Sequence, residues 1–213
     1  MLKKGNSILD YTMSNGKIQN GQVSIVVDSA ISLSPTVIKK FNLFVVPMII
    51  IVDNKPYRDG LDLTNSDFYK IQQNAGSLPT TAAPNPYNFL EKFRLASRNH
   101  NQILCLTVAS NFSSSYQAAQ KAIVLAKKEM PNICIKLLDT QTAAAGQALV
   151  ALEASRLASE GLEIDRIVSC VQLLINEVTF MAILDSLFYL HKGGRVPFIG
   201  HWLSEKLNIK PVF

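Results

Sequence analysis

Largely apolar runs alternate with longer segments of helical periodicity along most of the chain. The run at residues 103–108 is typical of a strand that is buried on both faces of a sheet. The run at 23–27 predicts another buried strand, and the run at 133–138 predicts a further strand. Behind the second run, apolar side chains recur at the spacing of one helix face: Tyr116, Ala119, Ile123, Ala126 and Met130. This alternation predicts an α/β fold with a mostly parallel sheet and flanking helices.

The remaining pattern predicts shorter elements around this sheet. Pro47 separates two strand-like segments, and the turn at residues 53–55 predicts a hairpin that Ile50 and Tyr57 flank. Residues 79–84 hold prolines and short side chains, which indicates a rigid extended loop. The further predicted elements are helices at 143–160 and 164–175, a strand at 179–184, a helical piece at 187–191, a helix containing Trp202 and the start of a strand at 209–213.

Changes in composition divide the chain into three parts. Residues 1–21 are polar and lack periodicity, so they are interpreted as a flexible N-terminal extension. Residues 22–162 form the predicted first α/β domain, and residues 163–213 form the start of a second, smaller α/β domain. Because the sequence stops at an apolar strand without a polar tail, this second domain is expected to be incomplete at its C-terminus.

Bulk composition excludes several classes of protein. Apolar residues make up 48% and charged residues 17% of the chain, which indicates a large core and argues against disorder. The net charge is +5, but Lys and Arg are scattered and no nucleic-acid-binding motif is present, so no nucleic acid is expected. The apolar run at residues 43–52 contains Pro47 and is too short to span a bilayer. No signal peptide follows Lys3 and Lys4, so a cytoplasmic location is expected, with transient membrane contact left open.

Cysteine and histidine spacing predicts neither a metal site nor a disulfide framework. The three cysteines, Cys105, Cys134 and Cys170, lie in apolar periodic segments and are predicted to be buried free thiols. The three histidines are not spaced as metal ligands, so no metal and no cofactor are expected. The first helix does not open with a Gly-rich phosphate fingerprint, which argues against a dinucleotide enzyme.

Hydroxyl groups cluster where the run at 103–108 gives way to a helix. Residues 109–116, here named the serine turn, contain Ser110, Ser113, Ser114 and Ser115. Serine hydroxyls and free backbone N–H groups at a helix start suit an anion. Ordinary N-capping by serine is the alternative explanation.

A polar pair, Asp28 and Ser29, ends the first predicted strand. In open α/β sheets, ligands gather at the carboxyl ends of strands, so both residues are candidate ligand contacts. The alternative is that Asp28 only caps the turn.

Several motifs occur together in one order from Val23 to the C-terminus. They are Val27-Asp28-Ser29, Val46-Pro47, Tyr57-Arg58-Asp59-Gly60, Pro79-Thr80-Thr81, Ser110 with Ser113-Ser114-Ser115-Tyr116-Gln117 and Ala119, Leu138-Asp139-Thr140, Lys192-Gly193-Gly194-Arg195 and Leu207-Asn208-Ile209-Lys210-Pro211. In these segments the chain resembles the DegV proteins, the fatty-acid-binding partners of bacterial fatty acid kinase. It departs from the family pattern at Ala82, Ala83, Ser114 and His191.

The resemblance implies that a long-chain fatty acid lies in a buried tunnel between two domains. It implies that hydroxyls of Thr81 and Ser113 hold the carboxylate, with Ser114 and Ser115 beside them. The turn near the carboxylate would serve kinase docking or the acyl-phosphate product; it comprises Lys192, Gly193, Gly194 and Arg195. Secondary candidates for ligand contact are Asp28, Ser29, Thr80 and Ser110. The chain would then be a lipid carrier rather than an enzyme, with phosphoryl transfer performed by a separate fatty acid kinase.

Two other functions stay open at this point. A degenerate DegV paralogue with a structural or regulatory role is suggested by Ala82 and by the short C-terminal part. A serine-dependent acyl hydrolase would use Ser113 as its nucleophile, but a nucleophilic serine needs an activating base. The sequence contains no Gly-x-Ser-x-Gly elbow, which argues against the hydrolase.

Overall fold

The computed structural model describes residues 23–184 and 186–196 of the chain. Its elements are β1 (Val23–Asp28), α1 (Pro35–Lys40), β2 (Phe44–Val46), β3 (Ile49–Val52), β4 (Lys55–Arg58), α2 (Asn65–Asn74), β5 (Thr80–Ala82), α3 (Pro86–Ser97), β6 (Gln102–Thr107), α4 (Ser115–Glu129), β7 (Cys134–Asp139), α5 (Ala144–Ser159), α6 (Ile164–Glu177) and α7 (Phe188–Lys192). The predicted N-terminal extension, the helix containing Trp202 and the strand at 209–213 lie outside these residues.

The parallel sheet has four strands in the order β2-β1-β6-β7. All three pairings are parallel, and the register places Val26 opposite Phe44 on one side and opposite Cys105 on the other. Every residue of β1 is buried, as is typical of a central strand covered on both faces. The predicted α/β class, with a mostly parallel sheet and flanking helices, is confirmed.

Each face of the parallel sheet has its own apolar core. Because successive side chains of a strand point to opposite faces, Val27 and Leu104 pack with α5 and α6, whereas Val26 and Cys105 pack with α3 and α4. Burial of each side chain of Val to Phe size stabilises the fold by about 1.5–3 kcal/mol. These two cores fix the carboxyl ends of β1 and β6, where the candidate site residues lie.

Helix packing depends on small residues at the contacts. Ala119 and Ala122 on α4, and Ala151 and Ala154 on α5, have no solvent exposure. A methyl side chain lets the helix approach the sheet closely and adds no conformational entropy cost on burial. The alanine-rich helix predicted at 143–160 is therefore confirmed as α5, which lies against β1 and β6.

A second, antiparallel sheet has the strand order β4-β3-β5. Ile50 pairs with Tyr57 in β4, so the predicted hairpin is confirmed, and Ile50 also pairs with Thr81 in β5. The prediction of a rigid loop at 79–84 was incomplete because residues 80–82 form a strand. Strand β5 has only three residues, and two of its side chains are exposed, so its pattern resembles that of a loop.

Helix α6 lies beyond the predicted domain boundary at residue 162. Its Ile167 and Val171 are fully buried in the same core as Val27 of β1. The division at 162 stays a prediction, but α6 packs on the parallel sheet. The strand expected at 179–184 is wrong within the described residues, where the chain between α6 and α7 is irregular apart from a single bridge residue, Ile183.

Strand β7 stands at one end of the parallel sheet as residues 23–184 and 186–196 form it. Its Cys134 and Lys136 are exposed and its other side chains half-buried, and Lys136 forms an ion pair with Asp165 of α6 at 3.2 Å. Cys134 at the start of β7 and Cys170 on α6 are exposed, whereas Cys105 is buried. The prediction of three buried thiols is therefore wrong for two of them. Apolar spacing does not show that β7 lies at a sheet end, nor that Cys170 lies outside the buried face of α6, which Ile167 and Val171 form. None of the helices in residues 23–184 and 186–196 has the length and apolarity needed to cross a bilayer.

Candidate functional site

The carboxylate of Asp28 lies buried at the carboxyl end of β1. Its Oδ2 accepts the backbone N–H of Val108 at 2.9 Å, and its Oδ1 accepts the side-chain N–H of Gln147 at 3.0 Å. Desolvation raises the pKa of Asp28, and these two donors oppose that rise only in part. Asp28 therefore joins β1 to the end of β6 and to α5, and it has no solvent-exposed surface with which to meet a ligand. Its role as a ligand contact stays a prediction.

The serine turn connects β6 to α4. The N–H groups of Phe112 and Ser113 both donate to the carbonyl of Ala109, at 3.0 and 3.2 Å. Ser113 Oγ accepts the N–H of Ser115 at 3.2 Å and lies 3.1 Å from Ser115 Oγ. Ser113 is half-buried, Ser114 is exposed and Ser115 is buried. The turn therefore places these three side chains together at the start of a helix, with Ser114 at the surface and Ser115 in the interior.

The first turn of α4 has the free donors of a helix start. Ser114 is the N-cap residue but makes no side-chain capping hydrogen bond, and the first helical bond runs from Ala118 N to Ser114 O at 3.0 Å. Because the first N–H groups of a helix have no partner within it, those of Tyr116 and Gln117 point out of the helix end. The Ser114 side chain does not cap the helix, but Ser113 Oγ accepts the first helical N–H, that of Ser115, so N-capping by serine stays an alternative explanation beside an anion site. The helix dipole favours an anion at this end.

Ser110 lies on the far side of the same turn. It is exposed, and its N–H lies 3.2 Å from Oδ2 of Asp139, the last residue of β7. Asp139 Oδ1 also accepts the N–H of Gln141 at 2.9 Å. Asp139 thus fixes the entry to the serine turn, and the Ser110 side chain stays a candidate contact without a described partner of its own.

The turn at 192–195 ends helix α7. Gly194 adopts φ +76°, Gly194 N donates to His191 O at 2.9 Å, and Arg195 N donates to Leu190 O at 2.8 Å. This pair of bonds is a Schellman motif, in which a left-handed residue, usually glycine, follows the helix end. Gly194 therefore has a backbone reason to be present, independent of any ligand, whereas Gly193 has an ordinary helical conformation.

The Schellman turn places the Arg195 guanidinium against the serine turn. Arg195 Nε donates to the carbonyl of Phe112 at 3.3 Å, and Arg195 Nη1 donates to the carbonyl of Gly193. The structure thus brings together two motifs that lie 83 residues apart in sequence. Lys192 points elsewhere: its ammonium lies 5.8 Å from the centre of the Phe188 ring, on the same short helix.

Thr80 and Thr81 belong to the antiparallel sheet. Both are exposed, and they pair with Ile51 and Ile50 of β3. No hydrogen bond joins Thr81 to Ser113 within the described part of the chain. The expected meeting of these two hydroxyls at one carboxylate therefore stays a prediction.

Ser29 and Asp59 connect the two sheets. Ser29 Oγ donates to Asp59 Oδ2 at 2.6 Å and accepts the N–H of Met48 at 2.9 Å, while Asp59 N donates to Met48 O at 2.9 Å. Sequence reasoning missed this role of Asp59, although its motif was among those that resemble the family. The sequence did not indicate the partner of Asp59, because a contact between residues 30 positions apart becomes evident only in the folded chain.

An open cleft of about 730 Å³ borders the serine turn between β7 and α6. Its wall combines apolar Leu137, Leu138 and Leu173 with polar Asp139 and Gln172. A fatty-acid tail needs a wall without such polar groups, since each unpaired buried polar group is costly. The apolar tunnel between two domains stays a prediction.

The hydrolase alternative finds no catalytic base in the described residues. The hydrogen bonds of Ser113 Oγ are with Ser115, and His100 instead lies 3.0 Å from Ser24 Oγ at the opposite end of β1. A serine nucleophile requires a base within hydrogen-bond reach. The described residues therefore provide no activating base for Ser113, and the anion-binding role of the turn stays a prediction.

Comparison with known proteins places the chain in a family. The model of the DegV family, described as uncharacterised proteins, matches residues 22–213. A DegV domain-containing protein from Caldanaerobacter subterraneus is 32% identical over 191 residues, which cover 90% of this chain and 66% of that protein.

Two solved structures share the fold. A fatty-acid-binding DegV family protein from Thermus thermophilus has a TM-score of 0.77 and 27% identity, covering 90% of this chain and 66% of that one. A stearic-acid-binding protein from Eubacterium ventriosum also has a TM-score of 0.77, with 28% identity, covering 89% of this chain and 66% of that one. This chain therefore spans about two thirds of the length of these relatives. By sequence and by fold, the chain belongs to the DegV family.

Proposed function

We propose that this chain is part of a cytoplasmic fatty-acid carrier, which binds a long-chain fatty acid and presents its carboxylate to a fatty acid kinase. Structural relatives that bind fatty acids, including stearic acid, support the choice of ligand. The observation that carries the proposal is the serine turn, which combines a helix start with the Arg195 guanidinium. Such a turn suits a carboxylate or an acyl phosphate.

Head and tail of the ligand have different tasks in this proposal. Each hydrogen bond to a charged carboxylate contributes about 1.5–3 kcal/mol. Burial of hydrocarbon contributes about 0.8 kcal/mol per methylene, so a long tail contributes on the order of 10 kcal/mol. The tail therefore dominates affinity, and Ser113 and Thr81 decide which end faces the kinase. The tail would occupy a tunnel completed by the second domain.

Arg195 has a separate task from the hydroxyl groups. Its guanidinium is half-buried against the Phe112 carbonyl, so it carries positive charge to the rim of the serine turn. Guanidinium groups recognise phosphate oxygens through paired N–H donors. We propose that Arg195 contacts the phosphate that the kinase transfers, or the kinase itself.

Native mass spectrometry of the chain purified from a bacterial host tests ligand binding. Wild type is expected to carry long-chain fatty acid, or to take up stearate when it is offered. Ser113→Ala and Thr81→Val each delete one hydroxyl and are expected to keep the lipid while acyl-phosphate formation with a cognate kinase falls. A wild-type protein that stays empty in excess stearate would favour the degenerate paralogue, and a covalent acyl mass on Ser113 would favour the hydrolase.

Arg195→Ala tests the second task. The variant is expected to retain bound stearate and to lose acyl-phosphate formation at least about tenfold, since charged hydrogen bonds of this kind are worth that much. Arg98→Ala, which removes an exposed arginine after α3, is the matched control and is expected to leave both unchanged. Equal loss of stearate and of acyl phosphate in Arg195→Ala would contradict the proposed division of tasks.

A further inference from the structure

Three hydrogen bonds among Ser29, Met48 and Asp59, named the bridge, connect the two sheets, and the bond between Ser29 and Asp59 is the shortest of them. Ser29 directly follows β1 of the parallel sheet, and Asp59 directly follows β4 of the antiparallel sheet. Their 2.6 Å contact has the length of an O–H donating to an ionised carboxylate, which is the stronger class of hydrogen bond. Both residues are half-buried, so solvent screens this bond less than it would an exposed one.

Met48 lies in the middle of the same bridge. Its N–H donates to Ser29 Oγ and its carbonyl accepts from Asp59 N, each at 2.9 Å. Its side chain reaches the serine turn, where Ser115 Oγ lies 3.4 Å from Met48 Sδ. The chain therefore leaves one sheet at Val46 and enters the other at Ile49 through a residue held at both of its backbone groups.

The two proposed carboxylate contacts, Thr81 and Ser113, are connected to opposite sides of this bridge. Thr81 pairs with Ile50, two residues after Met48, whereas Ser113 bonds Ser115, which contacts Met48 from the parallel sheet. The bridge is thus one described connection between the strand that carries Thr81 and the turn that carries Ser113; another runs from β5 into α3, which packs against α4. Hydroxyls that share one carboxylate must keep their separation to a fraction of an ångström.

We infer that Ser29 and Asp59 are positioning residues that fix where Thr81 lies relative to the serine turn, so that both hydroxyls reach one carboxylate. The inference rests on the proposed function for the identity of that ligand. This role does not require either side chain to touch the ligand, because the Ser29 hydroxyl is bonded to Met48 and Asp59. Loss of the hydrogen bond between Ser29 and Asp59 is expected to change the position of the fatty-acid carboxylate while the hydrocarbon tail stays bound.

A carboxyl-labelled lipid reports the head group directly. Full-length chain is loaded with stearate carrying carbon-13 at its carboxyl carbon, and the carboxyl signal is recorded for wild type, Asp59→Ala, Asp59→Asn and Ser29→Ala. Wild type is expected to give one narrow signal. Asp59→Ala and Ser29→Ala are expected to shift or broaden it with stearate still bound, and Asp59→Asn is expected to restore it because its amide oxygen still accepts from Ser29.

Ser155→Ala is the matched control for lost stability. Ser155 Oγ donates to Phe41 O at 2.7 Å, which is also a single, partly buried bond between distant elements, but it connects α5 to the end of α1. This variant is expected to lower the melting temperature to a similar degree and to leave the carboxyl signal unchanged. A wild-type signal in Asp59→Ala, or an equal disturbance in Ser155→Ala, would overturn the inference.

Hydrogen exchange separates failure of the bridge from failure of the proposed function. In the lipid-free chain, amides of β3 and β5 are expected to exchange about tenfold faster in Asp59→Ala than in wild type, while those of β6 keep their rate. If wild type binds no stearate, the proposed function fails, and the exchange rates alone then test whether Ser29 and Asp59 hold β3 and β5 in place. Unchanged exchange in β3 and β5 of Asp59→Ala would overturn that positioning role.

Discussion

Replacement of Asp28 by Asn tests whether burial or hydrogen bonding governs the buried carboxyl group of β1. Desolvation raises the pKa of Asp28 in spite of the N–H donors of Val108 and Gln147. Asn keeps the shape of Asp and one acceptor oxygen for Val108. Gln147 Oε1 has no partner among the described residues, so it is free to accept from the new amide once the Gln147 side chain turns over. The variant is therefore expected to fold.

The sign of the pH dependence follows from whether the folded or the unfolded chain keeps the Asp28 carboxyl group protonated at higher pH. The pKa of Asp28 is raised in the folded chain, so the unfolded chain releases its proton first as the pH rises above the ordinary value of 3.8. Across that window, wild type loses about 1.4 kcal/mol of unfolding free energy per pH unit relative to the variant. The loss stops once Asp28 ionises in the folded chain. Asn does not titrate, so the difference between the two proteins isolates this group.

Urea unfolding, followed by circular dichroism at pH steps between about 4 and 8, measures the difference. The free energy of unfolding of wild type minus that of Asp28→Asn is expected to fall as the pH rises and then to level off. A flat difference would mean that folding does not shift the pKa of Asp28. A difference that rises with pH would mean that the two donors outweigh burial, and it would refute the reasoning.

Three further changes have defined outcomes. Hydrogen bonds from Arg58 lower the pKa of Asp62 to about 2, so the stability from this pair is present above pH 3.8 and is lost as the pH falls towards 2. In urea unfolding extended down to pH 2, the free energy of unfolding of wild type minus that of Asp62→Asn should rise with pH up to 3.8, opposite to the trend for Asp28→Asn, and a flat difference would contradict the lowered pKa. A Cβ at Gly146 would lie 2.2 Å from Thr142 Oγ1, so Gly146→Ala should cost about 1–3 kcal/mol in urea unfolding, and a loss near zero would show that the neighbouring loop yields. Burial raises the pKa of Cys105, so a thiol reagent should spare it in the folded chain while the two exposed cysteines react; reaction of all three would contradict its burial.

The parallel sheet was predictable because its central strands are buried on both faces. Residues 103–108 are apolar almost throughout, and such a run is typical of a strand that is covered on both faces. Strand β7 also has a largely apolar sequence, which does not show that Cys134 is exposed. Strand β5 has three residues and gains its backbone partners from β3, about 30 residues earlier, so no local pattern indicates it.

The residues of the candidate site were predictable as motifs, but not as a constellation. Ser113 and Arg195 were singled out separately, and only the folded chain joins their turns through the Phe112 carbonyl. Asp59 was noticed within a motif, yet its bond to Ser29 depends on how two sheets meet. Glycines 193 and 194 lie in a turn whose backbone bonds end α7, and their predicted contact with a kinase or phosphate stays a prediction. Local sequence specifies local geometry, and contacts between distant segments require the packing of the whole fold.

The ion pair of Lys136 has a consequence for how the protein behaves at high concentration. The end strand of a sheet is a template on which another chain can add by β-pairing, which leads to aggregation. A strand that added beside β7 would have to strip water from the Lys136 ammonium and displace it from Asp165, 3.2 Å away. A lysine at such a position therefore disfavours fibrous assembly from that side of the sheet.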